Sequence, residues 1–209
     1  MMGSDSVRRS LEALSSLALE VAERLGDEVE GIGQLTKECL EGGGRLFFCG
    51  NGGSAADAQH LAAEYVVRFD GDREALPAIA LTTDTSILTA GGNDFGFESI
   101  FSRQVAALAS RGDVLFLHST SGESENLLRA AEVARRLGVT TVAFLAKGGG
   151  RLEGTVDRAI VVPTDSTARA QEIHLALGHA VCEMVEHGLS GGSRSASVEE
   201  ARTGSGGDP

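Results

Sequence analysis

A histidine and a glutamate, His60 and Glu64, lie four residues apart in a segment that follows an apolar run and a glycine-rich turn. Residues at this spacing lie on the same face of a helix. An imidazole and a carboxylate held together can share a divalent metal ion or act as an acid and base pair. A plain surface hydrogen bond is the alternative that this segment alone leaves open.

The turn before this pair has the composition of a ligand-binding loop. Residues 45–49 (RLFFC) are bounded by glycines and predict a short buried strand. Gly50, Gly52 and Gly53 then allow a sharp backbone turn, and Ser54 is expected to cap the following helix. A helix N-terminus left uncovered in this way attracts anions or sugar hydroxyls.

A second loop carries hydroxyl groups where another predicted strand passes into a helix. Ser119, Thr120, Ser121 and Ser124 fall within six residues of one another. Hydroxyls combined with free N–H groups at a helix N-terminus suit a phosphate group without a lysine or arginine. The alternative is an ordinary capping box built on Ser121.

The predicted closing helix carries Gln171, His174 and His179. On a continuous helix, eight residues separate Gln171 from His179 by about 12 Å along the axis. One ion could not easily join them within one chain, so either the helix begins near Gln171 or two subunits assemble the site. His174 and His187 are expected on a solvated helix face.

The elements that must position these residues alternate between strand and helix. Strands that are apolar throughout, separated by helices, predict a parallel sheet covered on both faces, with ligands beyond the carboxyl ends of its strands. The predicted strands cover residues 45–49, 77–82, 113–118, 140–145 and 158–162. The predicted helices cover 6–29, 29–40, the Gly50 turn to about 68, 85–109 with a break at 91–94, 123–137 and 168–187.

Composition narrows the class of protein further. The chain has 209 residues, 42% of them hydrophobic, and a formal net charge of -12 without a Lys/Arg cluster, which argues against nucleic-acid binding. It contains no apolar run of membrane-spanning length, so a cytoplasmic protein is expected. Cys39, Cys49 and Cys182 are expected to be buried thiols. Residues 1–187 are predicted to form one domain, and the Gly/Ser-rich tail 188–209 is expected to be disordered.

Several segments together closely resemble the sugar isomerase (SIS) domain of phosphoheptose isomerases. They are residues 50–60, Glu64, 92–97 (GNDFGF), 119–122 (STSG), 171–174 (QEIH) and His179, and the match runs in order over about 7–187. The resemblance implies a flavodoxin-like five-stranded sheet with N-terminal helices at about 6–41 and an α/β core at about 45–187. It also implies a homotetramer with interfacial active sites. The implied reaction converts sedoheptulose 7-phosphate to D-glycero-D-manno-heptose 7-phosphate, the first step toward activated heptose.

The resemblance also assigns roles to individual residues. It implies Glu64 as the base that moves a proton between C1 and C2, and His179 as the acid that handles the oxygen-borne proton. The implied ligands of one zinc ion per subunit are His60, Glu64, Gln171 and His179. The implied phosphate contacts are Ser119, Thr120, Ser121 and Ser124, and the implied sugar contacts are Asn51, Gly52, Gly53, Ser54, Asn93, Asp94, Glu64 and Gln171.

Three positions depart from the family pattern. His118 replaces an apolar or small residue, Glu123 replaces Asn, and Ala168 replaces Asp. Glu123 and its neighbour Glu125 suit the helix dipole but would repel a phosphate dianion.

The sequence leaves two alternative functions open. One is a non-catalytic SIS protein that binds a replication initiator. The other is an isomerase of a different phosphosugar. The presence of Glu64 and His179 favours an enzyme over the protein-binding relative, in which these two positions are typically replaced.

Overall fold

The computed structural model describes residues 3–203, and it describes side chains between 5 and 189. Five parallel strands form one sheet in the order β2-β1-β3-β4-β5, which is the flavodoxin order and confirms the predicted fold class. The strands are β1 Leu46–Gly50, β2 Ala78–Ala80, β3 Val114–Ser119, β4 Thr140–Ala146 and β5 Arg158–Val162. The helices are α1 Gly3–Glu41, α2 Gly53–Val66, α3 Thr85–Phe95, α4 Ile100–Leu108, α5 Glu125–Leu137, α6 Gly150–Glu153 and α7 Thr167–Thr203.

The core lies on both faces of the sheet, because alternate residues of a strand point to opposite sides. On one face Phe48, Phe116 and Phe144 pack beneath α1, α2 and α7. On the other face Phe47 and Leu115 belong to the layer covered by α4 and α5. The sheet thereby holds the ends of β1 and β3 rigidly side by side.

The opening of the chain is one helix, not the two predicted. Val29 and Ile32, 6% and 1% exposed, are buried within α1 and so continue its packed face through the expected break. Nearby Gly26, Gly31 and Gly33 each cost the helix only about 1 kcal/mol relative to alanine. Packing against α7 outweighs that cost.

The break predicted at residues 91–94 was also misplaced. Gly91 and Gly92 continue α3, and the helix ends at Phe95, before Gly96, whose φ of 84° no other residue type adopts easily. A 3-10 turn, Phe97–Ser99, then leads into α4.

The closing helix is longer than predicted, since α7 continues past His187 to Thr203. The expected disorder of the tail 188–209 stays a prediction, and residues 204–209 lie outside the described residues. The sequence has no proline between 188 and 203, and its glycines are followed by the helix-forming run 196–202 (ASVEEAR).

The three cysteines are unpaired thiols in the described part of the chain, and Cys49 and Cys182 are buried as predicted, whereas Cys39 is only half-buried. Burial raises the pKa of Cys39 to about 11 and that of Cys182 to about 12, so both are protonated thiols at neutral pH. None of the helices described is long and apolar enough to cross a membrane.

Candidate active site

Three of the predicted site residues meet where α2 lies beside α7. The His60 and His179 Nε2 atoms are 2.8 Å apart, and His60 Nε2 lies 3.3 Å from Glu64 Oε1. The helices approach closely here because residue 178 is glycine: a Cβ atom at that position would lie 2.6 Å from the Leu61 side chain. His60 and Glu64 lie on one face of α2, and His179 of α7 lies beside them as the third member of the cluster.

This cluster has the donor set of a metal site. One donor atom from each of His60, Glu64 and His179 lies within 4.8 Å of the other two. Two imidazole nitrogens and a carboxylate oxygen are typical zinc ligands, with metal–ligand distances of about 2.0–2.2 Å. Tetrahedral donors at such distances are separated by about 3.3 Å, which matches the spacing of His60 from Glu64, while the two histidine Nε2 atoms, 2.8 Å apart, lie closer together than that. The residues therefore fit a zinc ion.

The surroundings of His179 favour a neutral imidazole. Partial burial and the neighbouring His60 lower its pKa, and Glu64 opposes that shift. The Phe69 ring lies over it, with ring centroids 5.5 Å apart. A neutral imidazole offers the lone pair that a metal ion or a proton requires.

Gln171 occupies a different place from the other three proposed ligands. Its amide contacts the turn before α2, where a Cβ on Gly53 would lie 2.5 Å from the Gln171 Nε2 atom. Because α7 is continuous from Thr167, Gln171 is about 12 Å along the axis from His179. The helix does not begin at Gln171, so its role as a fourth ligand stays a prediction that would need a second subunit.

The turn after β1 differs from expectation at its cap. Gly52, with a φ of 58°, is the N-cap of α2, and Ser54 lies buried in the first turn rather than capping it. Gly50 is required because a Cβ there would lie 2.5 Å from the Ser54 backbone oxygen. Gly52 and Gly53 are exposed and leave the N-terminus of α2 open.

The hydroxyl loop lies at the carboxyl end of the neighbouring strand β3. Ser119 is buried and its Oγ accepts a hydrogen bond from the Gly122 backbone N–H at 3.0 Å, which shapes the turn. Thr120, Ser121 and Ser124 are half-buried. Ser124 is the N-cap residue of α5 but makes no side-chain cap bond with the part of the chain that the structure describes. Among the described residues, the Ser121 Oγ accepts a hydrogen bond from the Glu123 N–H at 3.3 Å and none from Ser124, so the capping box on Ser121 is not formed. The Ser124 hydroxyl makes no cap bond and is available to a ligand.

The two glutamates beside this loop are held by an arginine that the sequence analysis missed. Arg151 Nε lies 2.8 Å from Glu123 Oε2, and its Nη2 lies 3.3 Å from Glu125 Oε2. Its hydrogen bonds hold the pKa of Glu123 below its usual range. Since Arg151 carries one positive charge against two carboxylates, it offsets part of the repulsion that they would exert on a phosphate. The only sequence signal was an arginine following the glycine run 148–150.

A pair of asparagines joins the two loops. Asn51 Nδ2 donates to Asn126 Oδ1, and Asn126 Nδ2 donates to Asn51 Oδ1, both at 2.9 Å. Asn126 is buried in the first turn of α5, and no motif pointed to it. This pairing uses one N–H and one oxygen lone pair of the Asn51 amide, so the second N–H and the second lone pair are available to a sugar.

Asn93 and Asp94 are exposed near the end of α3, where Asn93 Nδ2 donates to Asp94 Oδ1 at 2.7 Å. Their proposed contact with a sugar stays a prediction.

Two buried histidines underlie the site. His174 was expected on a solvated face but is 0% exposed, because that side of α7 packs on the sheet, where its Nε2 lies 2.9 Å from the Leu145 carbonyl oxygen. His118, at the end of β3, is 1% exposed and lies between Phe48 and Phe144. Its ring nitrogens make no hydrogen bond to the described residues.

The chain is similar to known proteins both in sequence and in structure. The SIS domain family matches residues 11–146. A phosphoheptose isomerase from Akkermansia muciniphila is 47% identical over 189 residues, covering 90% of this chain and all of the relative. One from Nitratiruptor sp. is 56% identical over 149 residues, covering 71% of this chain and 80% of the relative.

Solved structures show the same likeness. A phosphoheptose isomerase from Francisella tularensis is 36% identical with a TM-score of 0.86, covering 90% of this chain and 100% of that chain. Phosphoheptose isomerase GmhA from Neisseria gonorrhoeae is 39% identical with a TM-score of 0.83, covering 88% of this chain and 98% of that chain. The chain belongs to the SIS domain family and, within it, to the phosphoheptose isomerases.

Proposed function

We propose that this chain is a phosphoheptose isomerase that converts D-sedoheptulose 7-phosphate to D-glycero-D-manno-heptose 7-phosphate, a ketose to aldose isomerisation. The observation that carries the proposal is the His60, Glu64 and His179 cluster beside two ligand loops, in a chain 47% identical to a phosphoheptose isomerase over that relative's full length. The named relatives favour the enzyme over the initiator-binding alternative.

The proposed chemistry is a proton transfer through an enediolate. Glu64 removes a proton from C1 of the ketose and returns it to C2, while the electron pair of the broken C–H bond forms the C1–C2 double bond and the C2 carbonyl becomes an oxyanion. His179 moves the hydroxyl proton between O1 and O2. Glu64 on α2 and His179 on α7 are the base and the proton carrier that this reaction requires.

Zinc is proposed as the resident metal, held by His60, Glu64 and His179 in this chain. When bound, it would supply a Lewis acid that stabilises negative charge on the substrate oxygens. Gln171 is proposed as the fourth ligand, contributed by a second subunit, since α7 separates it from His179 within one chain.

The phosphate group is proposed to bind Ser119, Thr120, Ser121 and Ser124 at the N-terminus of α5. The hydroxyls and free N–H groups of that helix end can donate to phosphate oxygens. Arg151 beside Glu123 supports this assignment, because it offsets part of the local negative charge.

A homotetramer with interfacial sites is proposed from the same resemblance. Two observations support association of copies. On α1, three apolar side chains are 60–71% exposed: Val7, Leu11 and Leu19. The structure describes all of α3, and none of its residues is buried. Apolar surface of this kind marks an interaction site. Sedimentation velocity of the purified chain would test whether it forms a tetramer.

The test of the function is incubation of the metal-replete protein with sedoheptulose 7-phosphate in deuterated water, followed by proton NMR. An aldose heptose phosphate, carrying deuterium at C2 where the transferred proton exchanges with solvent, is the expected product. Absence of conversion in a folded, zinc-containing sample would reject this substrate and leave another phosphosugar.

Replacing Ser121 with alanine should raise KM about tenfold or more with little change in kcat. The variant removes a hydroxyl that binds phosphate in both the ground state and the transition state, and a hydrogen bond to a charged group contributes roughly 1.5–3 kcal/mol. Steady-state kinetics measures it. The matched control is Ser110→Ala, an exposed serine before β3 at the opposite end of the sheet. An unchanged KM for Ser121→Ala would remove this residue from the phosphate site.

A further inference from the structure

The loop between α2 and β2, residues 67–77, is tied to α7 by a buried carboxylate. Glu186, 5% exposed, accepts hydrogen bonds from the backbone N–H groups of Phe69 and Asp70 at 3.1 Å each, and Gly71 donates to the same carboxylate. Arg73 Nε donates to it at 2.9 Å. One side chain of α7 thus engages four donors of the loop, three backbone N–H groups and the Arg73 guanidinium.

The other edge of the Arg73 guanidinium faces the end of α2. Its Nη2 donates to the Glu64 backbone oxygen at 2.7 Å, and its Nη1 donates to the Tyr65 backbone oxygen at 2.8 Å. Carbonyls in the last turn of a helix lack partners within that helix. Arg73 therefore caps the helix end that carries His60 and Glu64, and it joins that end to Glu186.

The same loop reaches the third member of the cluster. Phe69, whose N–H is bound by Glu186, places its ring over His179. The pair of Arg73 and Glu186, here called the clasp, contacts the backbone at Glu64 and fixes the residue that covers His179. The hydrogen bonds of the clasp described above run to the loop backbone, to the carbonyl oxygens of Glu64 and Tyr65 and between the two side chains themselves.

We propose that Glu186 and Arg73 are positioning residues for the His60, Glu64 and His179 cluster. The clasp holds the carboxylate of α2 and the imidazole of α7 at the separation that metal binding and proton transfer need. Its effect on catalysis rests on the proposed function. Misplacement of reacting groups by about 1 Å can cost about 100-fold in rate.

The chain contains a matched control for this network. Asp113, 2% exposed, accepts hydrogen bonds from the Arg45 and Ser110 backbone N–H groups at 2.8 Å each, and its carboxylate lies 3.1 Å from Arg45 Nη2. It has the chemistry of Glu186 but lies at the amino ends of β1 and β3, opposite the site. A purely structural role predicts equal consequences for the two carboxylates.

The experiment compares Glu186→Gln with Asp113→Asn in the full chain. Each variant replaces an acceptor oxygen with a donor facing N–H groups, so both should lower Tm. Glu186→Gln alone should lower kcat at least tenfold with KM within twofold, and weaken zinc binding at least tenfold in competition with a chelator. Equal effects of the two variants on kcat and zinc affinity would overturn the proposal.

A readout independent of activity separates the clasp from the proposed function. In metal-free protein, diethyl pyrocarbonate should modify His179 faster in Glu186→Gln than in wild type or Asp113→Asn, since Phe69 is released. Peptide mass spectrometry measures the rate, and an unchanged rate contradicts the proposal even where isomerase activity is absent. If Glu186→Gln does not fold, the same measurements are made on Arg73→Lys. Lysine keeps the positive charge but lacks the planar guanidinium that reaches Glu186 and the carbonyls of α2 together.

Discussion

Replacing Glu64 with glutamine should lower kcat of the proposed isomerisation about 1,000-fold while leaving the protein folded. Glutamine keeps the size of the side chain and one oxygen beside His60, but it cannot take a proton from C1. General acid–base catalysis contributes about 10²–10⁴ in rate, and the predicted loss lies within that range. Stopped assays of aldose formation, with proton exchange at C1 followed in deuterated water, measure it directly.

Because Glu64 is also a proposed metal ligand, the variant must be assayed with excess zinc and its zinc content determined. A zinc-loaded but inactive Glu64→Gln identifies a missing base, and recovery of activity with zinc would assign Glu64 to metal binding alone. Glu132→Gln, an exposed glutamate on α5, is the control and should retain wild-type kcat. A Glu64→Gln rate within tenfold of wild type would remove Glu64 as the base.

The strands and the two ligand loops were predictable because their signals are local, whereas the flavodoxin-like sheet came from the family resemblance. Apolar runs such as residues 45–49, followed by glycine or hydroxyl-rich turns, determine strand and turn within ten residues. The placement of His60 beside Glu64 follows from helical periodicity alone. That part of the site needs no tertiary information.

What could not be predicted depends on contacts between distant segments. His174 was assigned to solvent because one sequence cannot reveal which face of α7 packs on the sheet. Likewise the length of α1 is decided by packing against α7, which local glycine content does not report. The Asn51 and Asn126 pair joins residues 75 apart, and no spacing rule links them.

The contact between His179 and His60 could be predicted from the sequence only in part. Resemblance to the family supplied the residues, while the distance between them depends on Gly178 admitting Leu61. A glycine inside a helix is unfavourable by about 1 kcal/mol, so its presence beside a site histidine was a signal of close helix approach that the sequence analysis passed over.

Replacing His118 with leucine should make the protein markedly less sensitive to acid. Burial, reinforced by the nearby His174, lowers the pKa of His118 from 6.5 to about 3. Burial likewise lowers the pKa of His174 to about 4, although its bond to Leu145 opposes the shift. Phe48, Phe144 and His174 surround the His118 ring, and its nitrogens bond to none of the described residues. Leucine therefore removes no hydrogen bond made by the described residues.

The direction of the pH effect follows from proton binding. Below pH 6.5 the unfolded chain takes up a proton on residue 118 and the folded chain does not, so the folded state loses stability as pH falls toward 3. At about 1.36 kcal/mol per pH unit, His118 accounts for about 2 kcal/mol of the loss between pH 7.5 and 5. Above pH 6.5 this contribution is absent, and removing an unsatisfied buried group should leave the variant at least as stable as wild type.

Urea unfolding at fixed protein concentration, measured between pH 5 and 7.5, tests the expectation. The fall in unfolding free energy over that range should be about 2 kcal/mol smaller in His118→Leu than in wild type. His187→Gln, which alters an exposed histidine on α7, should reproduce the wild-type fall. Parallel curves for His118→Leu and wild type would show that protonation of the folded state at this position costs nothing, which is incompatible with a buried neutral imidazole. A smaller fall confined to His118→Leu would instead locate part of the acid sensitivity at the end of β3, directly beneath the hydroxyl loop.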